Sequence, residues 1–185
     1  MAAPAPFFNP AVTCPLWGTF PPFFTLQPSD ATRATQVEAW GRLLLAECAS
    51  RRATLLSPLA EWPLWENRAL QRALPADGIA AVAAHLVALG RAQWVDEQHV
   101  NLRVLFKTVP EWGVLVLAAV KRNGFVDDAK TLTEITEDLG RGEEFYQLDD
   151  SIMVEVLLHL STQGHCKIVE GGAFGVIFKS ELMSA

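Results

Sequence analysis

Tyrosine is almost missing from this chain of 185 residues, with Tyr146 alone, and cysteine is scarce. The three cysteines, Cys14, Cys48 and Cys166, stand far apart with no CxxC pair. That odd count fits free thiols in a reducing compartment rather than a disulfide framework. No Lys or Arg precedes Arg33, and prolines break the apolar start, so the charged leader and continuous helix of a secretory signal are missing. No charge-free apolar run approaches the roughly 18 to 20 residues of a membrane span. The longest are Ile79 to Leu89 and Trp112 to Val120. A soluble cytoplasmic protein is the expectation.

Catalytic signatures are also missing: no GxGxxG opens a helix after a strand, and neither a P-loop nor GxSxG occurs. His159, His165 and Cys166 are divided between a helix and a strand with no fourth ligand, so no zinc site is expected. The paired acids Asp127-Asp128, Glu143-Glu144 and Asp149-Asp150 point apart as sequence neighbours and read as caps and loops. The chain therefore reads as non-enzymatic, without metal or cofactor.

Positive charge is in deficit, with 15 basic against 21 acidic side chains and a net charge of −6. The deficit is uneven: residues 1 to 109 carry net +1 and residues 110 to 185 carry net −7. An acidic second half repels nucleic acid and favours a basic protein segment, although a solvated acidic face explains the same charges.

The chain is half apolar, enough to bury one large core or two small ones. Its first 29 residues contain no Asp, Glu, Lys or Arg, yet hold 7 of the 11 prolines and five of the ten phenylalanines. Prolines this dense disfavour helices and sheet ladders, so the spacing predicts an extended arm over residues 1–29. Pro, any residue, aromatic recurs at Pro6-Phe7-Phe8, Pro15-Leu16-Trp17 and Pro22-Phe23-Phe24. Proline holds the backbone near one conformation, which lowers the ordering cost when the next aromatic enters a pocket. Such an arm docks on a partner or folds back on its own first module.

Past the arm, Val37, Trp40, Leu44 and Cys48 share a helix face, predicting a helix from Asp30 to about Arg52. A short helix over Leu64 to Leu74 is expected next, then one from Asp77 to Leu89 ended by Gly90, then strands Ala92 to Val95 and Val100 to Phe106. The order then repeats. Thr108 and Glu111 have capping-box spacing before a stripe of Trp112, Leu115, Val116, Ala119 and Val120. Thr131 and Glu134 form a second such box before a short helix to Leu139. A third helix follows from Asp149 or Asp150 to Leu160, and strands Cys166 to Val169 and Phe174 to Phe178 flank the turn Gly171-Gly172.

Trp40 and Trp112, Asp77 and Asp149, and Gly90 and Gly164 lie at offsets of 72, 72 and 74 residues, as in a duplicated unit. Three helices and a hairpin make a winged helix, so the expected fold is α+β: two tandem winged-helix domains, residues 30–108 and 109–185, after the arm. One irregular α+β domain is the other reading. Neither third helix carries a Lys or Arg, which removes the electrostatic drive for a DNA-binding transcription regulator, the main functional alternative.

Thr19-Phe20-Pro21-Pro22-Phe23-Phe24-Thr25-Leu26-Gln27-Pro28, followed by the Trp40 helix, resembles the start of the ESCRT-II small-subunit family, the vacuolar protein sorting-associated protein 25 family. Leu74-Pro75, Pro110-Glu111-Trp112-Gly113, Thr131 to Ile135, Glu143-Glu144-Phe145 and Gly175 to Phe178 follow in that family's order. The resemblance implies an adaptor used in two copies of a Y-shaped complex, each docking its arm on one of two larger winged-helix subunits. Pro15, Leu16, Trp17, Phe20, Pro21, Pro22, Phe23 and Phe24 are the arm residues implied. It further implies that the second winged helix recruits a basic N-terminal helix of an ESCRT-III subunit, with Glu143, Glu144 and Asp150 as candidate contacts. The work implied is multivesicular body sorting of ubiquitinated cargo, with no nucleic acid partner and only indirect, peripheral contact with endosomal membranes.

Overall fold

The computed structural model describes residues 8–169 and 174–180. Pro6-Phe7 and the Gly171-Gly172 turn lie outside them. The chain divides into two compact units, the first ending at Phe106 and the second beginning at Lys107.

The first unit opens with two short helices, α1 (Pro10–Thr13) and α2 (Pro15–Thr19), and a 3-10 turn at Pro21–Phe24. This corrects the expectation of an arm extended throughout. Each proline here occupies the first turn of its helix, where a missing N–H costs nothing and a fixed φ assists. Asn9 caps α1 by accepting from the Ala11 N–H at 3.0 Å. Gly18 lies so close to Ala11 that a Cβ there would sit 2.7 Å from the Ala11 Cβ.

Helix α3 (Asp30–Arg51) buries Val37, Trp40, Leu44 and Cys48 on one face, as their spacing predicts. After it come β1 (Leu55–Leu56), 3-10 turns at Leu59–Glu61 and Pro63–Trp65, and a small hairpin of β2 (Glu66–Asn67) and β3 (Arg72–Ala73). The helix expected over Leu64 to Leu74 is therefore absent. Asn67 explains the difference, because its Oδ1 accepts from the Leu70 N–H at 3.1 Å and closes a tight turn in competition with helical pairing. Helix α4 (Ala76–Ala88) follows, then β4 (Ala92–Trp94) and β5 (Leu102–Val104). These strands pair antiparallel, and β1 joins the free edge of β5 with Leu55 opposite Arg103.

The strands are shorter than the alternation suggests, because the Asp96 carboxylate accepts from the Val100 and Asn101 N–H groups and shapes the wing turn between them. The Val100 bond foremost, with that of Asn101, holds this carboxyl below the usual aspartate range.

In the second unit α5 (Val109–Asn123) starts at a complete Thr108–Glu111 capping box. Strand β6 (Ala129–Thr131) leads into a π-helical segment at Glu134–Leu139. Thr131 and Glu134 exchange the expected bonds, and the Thr131 N–H and hydroxyl lower the carboxyl's proton affinity. Helix α6 (Asp150–Thr162) is capped by Asp149, whose Oδ1 accepts from the Ser151 N–H at 3.0 Å. Strands β7 (Cys166–Val169) and β8 (Gly175–Phe178) pair, and β6 joins β8. Each unit is thus a winged helix with a three-stranded sheet.

The repeat extends to individual contacts. Trp40 and Trp112 are both buried, and each is followed by a glycine against the third helix of its own unit. A Cβ on Gly41 would lie 3.3 Å from Leu86, and one on Gly113 would lie 3.1 Å from Leu160. Both third helices end on a left-handed glycine, Gly90 at φ 65° and Gly164 at φ 82°. The next N–H then returns to the same carbonyl in each unit, Arg91 to Leu86 at 2.8 Å and His165 to Leu160 at 3.0 Å.

Burial, then the Glu47 carboxylate, pushes the Cys48 thiol up to about 12, and burial pushes Cys166 up to about 11. Both stay protonated at neutral pH, so a thiol reagent at pH 8 is expected to modify Cys14 alone in the native protein. Mass spectrometry should show one adduct natively and three after denaturation. Rapid native labelling of Cys48 would contradict the packing described.

Candidate partner-binding site

The arm is pinned to the first unit by side chains reading its backbone. Trp40 Nε1 donates to the Phe23 carbonyl at 3.0 Å, and the buried Gln36 amide donates to the same carbonyl at 2.8 Å and to that of Thr25 at 2.9 Å. In return the Gln27 N–H donates to Gln36 Oε1 at 3.1 Å. Further back, Trp17 Nε1 donates to the Leu64 carbonyl at 3.1 Å, while the Asn67 amide donates to the Trp17 carbonyl at 2.8 Å. These bonds satisfy backbone carbonyls that the proline-rich turns cannot pair among themselves.

The rings complete the attachment. Phe23 stacks on Trp40 with centroids 4.7 Å apart, and Phe24 meets Trp40 edge-on at 5.3 Å. Phe23 is 3% and Phe24 2% exposed, so both belong to the core of this chain's own first unit. Trp17 is half-buried against Phe24. The other named residues face outward: Pro15, Pro21 and Pro22 are exposed, Leu16 is 47% exposed and Phe20 48%. The arm is thus two-sided, with Phe23 and Phe24 inward and Leu16, Phe20, Pro21 and Pro22 outward.

Sequence reasoning missed Gln36 and Asn67 as holders of the arm. Gln36 carries a detectable signal, since it lies one turn before Trp40 on the same helix. Asn67 carries none, because its partner is 50 residues away. The tryptophans of the 62–65 segment are placed as well. Trp65 is buried and donates to the Leu59 carbonyl at 2.7 Å. Trp62 donates to buried Glu47 at 2.6 Å while the Arg51 guanidinium lies 5.6 Å over its ring. The Glu47 charge is matched by Arg51 at 2.9 Å, so the three side chains satisfy one another.

In the second unit the three candidate carboxylates differ. Glu143 pairs with Arg122 and Glu144 with Lys107 at 3.0 Å, whereas Asp150 is exposed in the first turn of α6. Among the described residues, no cluster of three or more His, Cys, Asp and Glu is arranged to hold a metal ion, and no helix is long and apolar enough to cross a membrane.

A family model described as ESCRT-II complex subunit matches residues 18–149, from the outward-facing arm to the cap of α6. The chain belongs to the family of ESCRT-II complex subunits. Within this ESCRT-II family the chain is similar to vacuolar protein sorting-associated protein 25 of Arabidopsis thaliana, 32% identical over 160 residues, covering 85% of this chain and 88% of the relative. The protein of the same name from Danio rerio is 35% identical over 153 residues, 81% of this chain and 88% of its own length. The Homo sapiens protein is 34% identical over 154 residues, 81% of this chain and 87% of its own.

Two solved structures share the fold. The crystal structure of subunit VPS25 of the endosomal trafficking complex ESCRT-II superposes with a TM-score of 0.76 at 19% identity, covering 88% of this chain and 97% of that one. A chain of the endosomal complex ESCRT-II (VPS22/VPS25/VPS36) superposes with a TM-score of 0.76 at 21% identity, covering 92% of this chain and all of that one.

Proposed function

We propose that this chain is the small subunit of an ESCRT-II complex, a non-enzymatic adaptor in endosomal sorting that docks through its arm on two larger winged-helix subunits. Support comes from relatives named for vacuolar protein sorting and from the shared fold of a chain solved together with VPS22 and VPS36. The observation that carries the reading is the two-sided arm. Its inner face is held by Trp40, Gln36 and Asn67, and its outer face offers Leu16, Phe20, Pro21 and Pro22 to a partner. Phe23, Phe24 and Trp17 serve as the anchors that keep this face rigid, so little ordering cost falls on binding. Two copies per complex are proposed, with endosomal membranes reached only peripherally through the assembly. Co-purification with the two larger subunits and mass determination by light scattering tests this. Expected is a complex containing two copies of this chain, and failure of the wild-type chain to assemble overturns the reading.

The second winged helix, net −7 over residues 110–185, is proposed to recruit a basic N-terminal helix of an ESCRT-III subunit and so start filament assembly. Asp150 is the most available of the three carboxylates, whereas Glu143 and Glu144 must share with Arg122 and Lys107. Binding of that helix is expected to weaken as salt rises and to fall about tenfold in Glu144→Lys plus Asp150→Lys. Titration of the labelled helix by fluorescence anisotropy checks it, and salt-independent binding sinks the charge argument.

A further inference from the structure

The first cation of the sequence, Arg33, is spent on the backbone of the arm. It lies on α3, where Arg33, Gln36 and Trp40 share one face at spacings of three and four. Its guanidinium forks onto two successive carbonyls, Nε donating to Gln27 at 2.8 Å and Nη2 to Pro28 at 2.8 Å. The Asp30 carboxylate also lies 3.5 Å from Nη2, but it is almost wholly exposed, so that ion pair adds little. Helix stability gives no reason for a cation here. Arg33 follows directly on the first turn of α3, at the end where the macrodipole favours anions. The Gln27 and Pro28 carbonyls are the groups its fork serves.

Gln27 passes this hold on to the outer face. Its backbone is gripped at both ends, the N–H by Gln36 Oε1 at 3.1 Å and the carbonyl by Arg33. Its side-chain amide turns back along the arm and donates to the Thr25 carbonyl at 2.7 Å and to the Pro22 carbonyl at 3.0 Å. Pro22, with Pro21, belongs to the exposed face that the docking reading assigns to a partner. A proline has no N–H by which it can be held. Its carbonyl, which also receives the Thr25 N–H at 3.1 Å, is the backbone handle that remains. Arg33 therefore reaches Pro22 through a single intermediate residue.

We propose that Arg33 and Gln27 are positioning residues for subunit docking: Arg33 fixes Gln27, and the Gln27 amide fixes Pro22 and so the direction in which the outer face of the arm is presented. The inference rests on the docking reading above. Neither side chain is asked to touch the partner. Their work is to keep the binding arrangement populated before encounter, and losing it lowers apparent affinity by the fraction of chains still correctly arranged. Such a loss slows association and leaves dissociation unchanged, whereas a lost contact speeds dissociation.

The test uses the full chain. Arg33→Met keeps an apolar stem and a good helix former but removes the fork. Gln27→Ala keeps both backbone bonds of that residue and removes only the relay. Surface plasmon resonance against the larger subunits is expected to show association slowed about fivefold to tenfold in each variant, with dissociation within about twofold of wild type. The double variant should be little worse than either single one, because both free the same segment. Phe20→Ala supplies the contrast, speeding dissociation instead. Hydrogen exchange on the free chains should quicken at the Thr25 and Gln27 amides in both variants and stay as in wild type along α4, which shows that the unit remains folded. Association at the wild-type rate overturns the proposal, and so does faster dissociation, which would make these side chains contacts. Unchanged exchange at Thr25 and Gln27 refutes the relay whatever the partner does. A wild-type chain that the larger subunits fail to capture brings down the docking reading itself, a result distinct from capture that the variants leave unaltered.

Discussion

Phe24→Ala is expected to destabilise the first unit by about 3 to 5 kcal/mol, the cost of emptying a fully packed aromatic site. Phe24 is 2% exposed, with its ring edge-on to Trp40 and near Trp17 and Phe23. Removing it leaves a cavity between α3 and the arm and frees the backbone that Trp40 and Gln36 hold. For a unit of roughly 100 residues this lowers the melting temperature by on the order of 20 °C. Phe20→Ala, at a ring 48% exposed, should change stability by no more than about 0.5 kcal/mol. Urea unfolding of the two variants beside wild type measures both. Equal stabilities would mean that the arm is not part of the core.

The second large effect concerns assembly. Leu16→Asp plus Phe20→Asp is expected to weaken capture by the larger subunits about hundredfold or more, with the melting temperature unchanged. The argument rests on relative costs. If Phe23 and Phe24 were themselves the inserting side chains, docking would first have to extract both from their own core, at several kcal/mol each by the estimate above. The rings already outside carry no such penalty, and Pro21 and Pro22 next to them restrict the backbone that presents them. Surface plasmon resonance of the double variant against the larger subunits reads the result. Unimpaired capture would move the contact to another surface. A blue-to-red shift of tryptophan emission on binding would show that Phe23 and Phe24 leave Trp40, contradicting the anchor role.

The contrast between inner and outer arm residues also shows where the sequence is readable. Density of proline and aromatics marks the arm, and the three-four spacing of Val37, Trp40, Leu44 and Cys48 marks the helix that receives it. Which arm rings face inward is not encoded in that density, because the 3-10 turn at Pro21–Phe24 sets their directions and its geometry depends on contacts with Trp40. Strands β1 and β6 escape notice for another reason: two or three residues cannot display alternation, and both are defined by the neighbour they pair with. The 64–74 segment misleads actively. Leu70 and Leu74 are four apart, as on one helix face, and Pro75 offers a helix stop, but Pro63 and Asn67 favour turns, and Leu64 and Leu74 reach the core from a turn and a hairpin instead.

The repeated landmarks are more dependable than any single element. Each recurs because the same packing problem is solved twice, a tryptophan filling the centre while the adjacent glycine lets two helices approach. The acidic pairs show the limit of charge counting. Net −7 describes the second half, yet two of its three candidate carboxylates are balanced locally by Arg122 and Lys107.

Trp17 finds its partners 47 and 50 residues further along the chain. During synthesis the arm leaves the ribosome first, with Phe23 and Phe24 in water until α3 and then the 59–67 segment emerge behind it. The first unit therefore closes from its end backwards, over a long interval in which its most adhesive residues are uncovered. A chaperone that shields that stretch of nascent polypeptide would be guarding two rings of the first unit's own core.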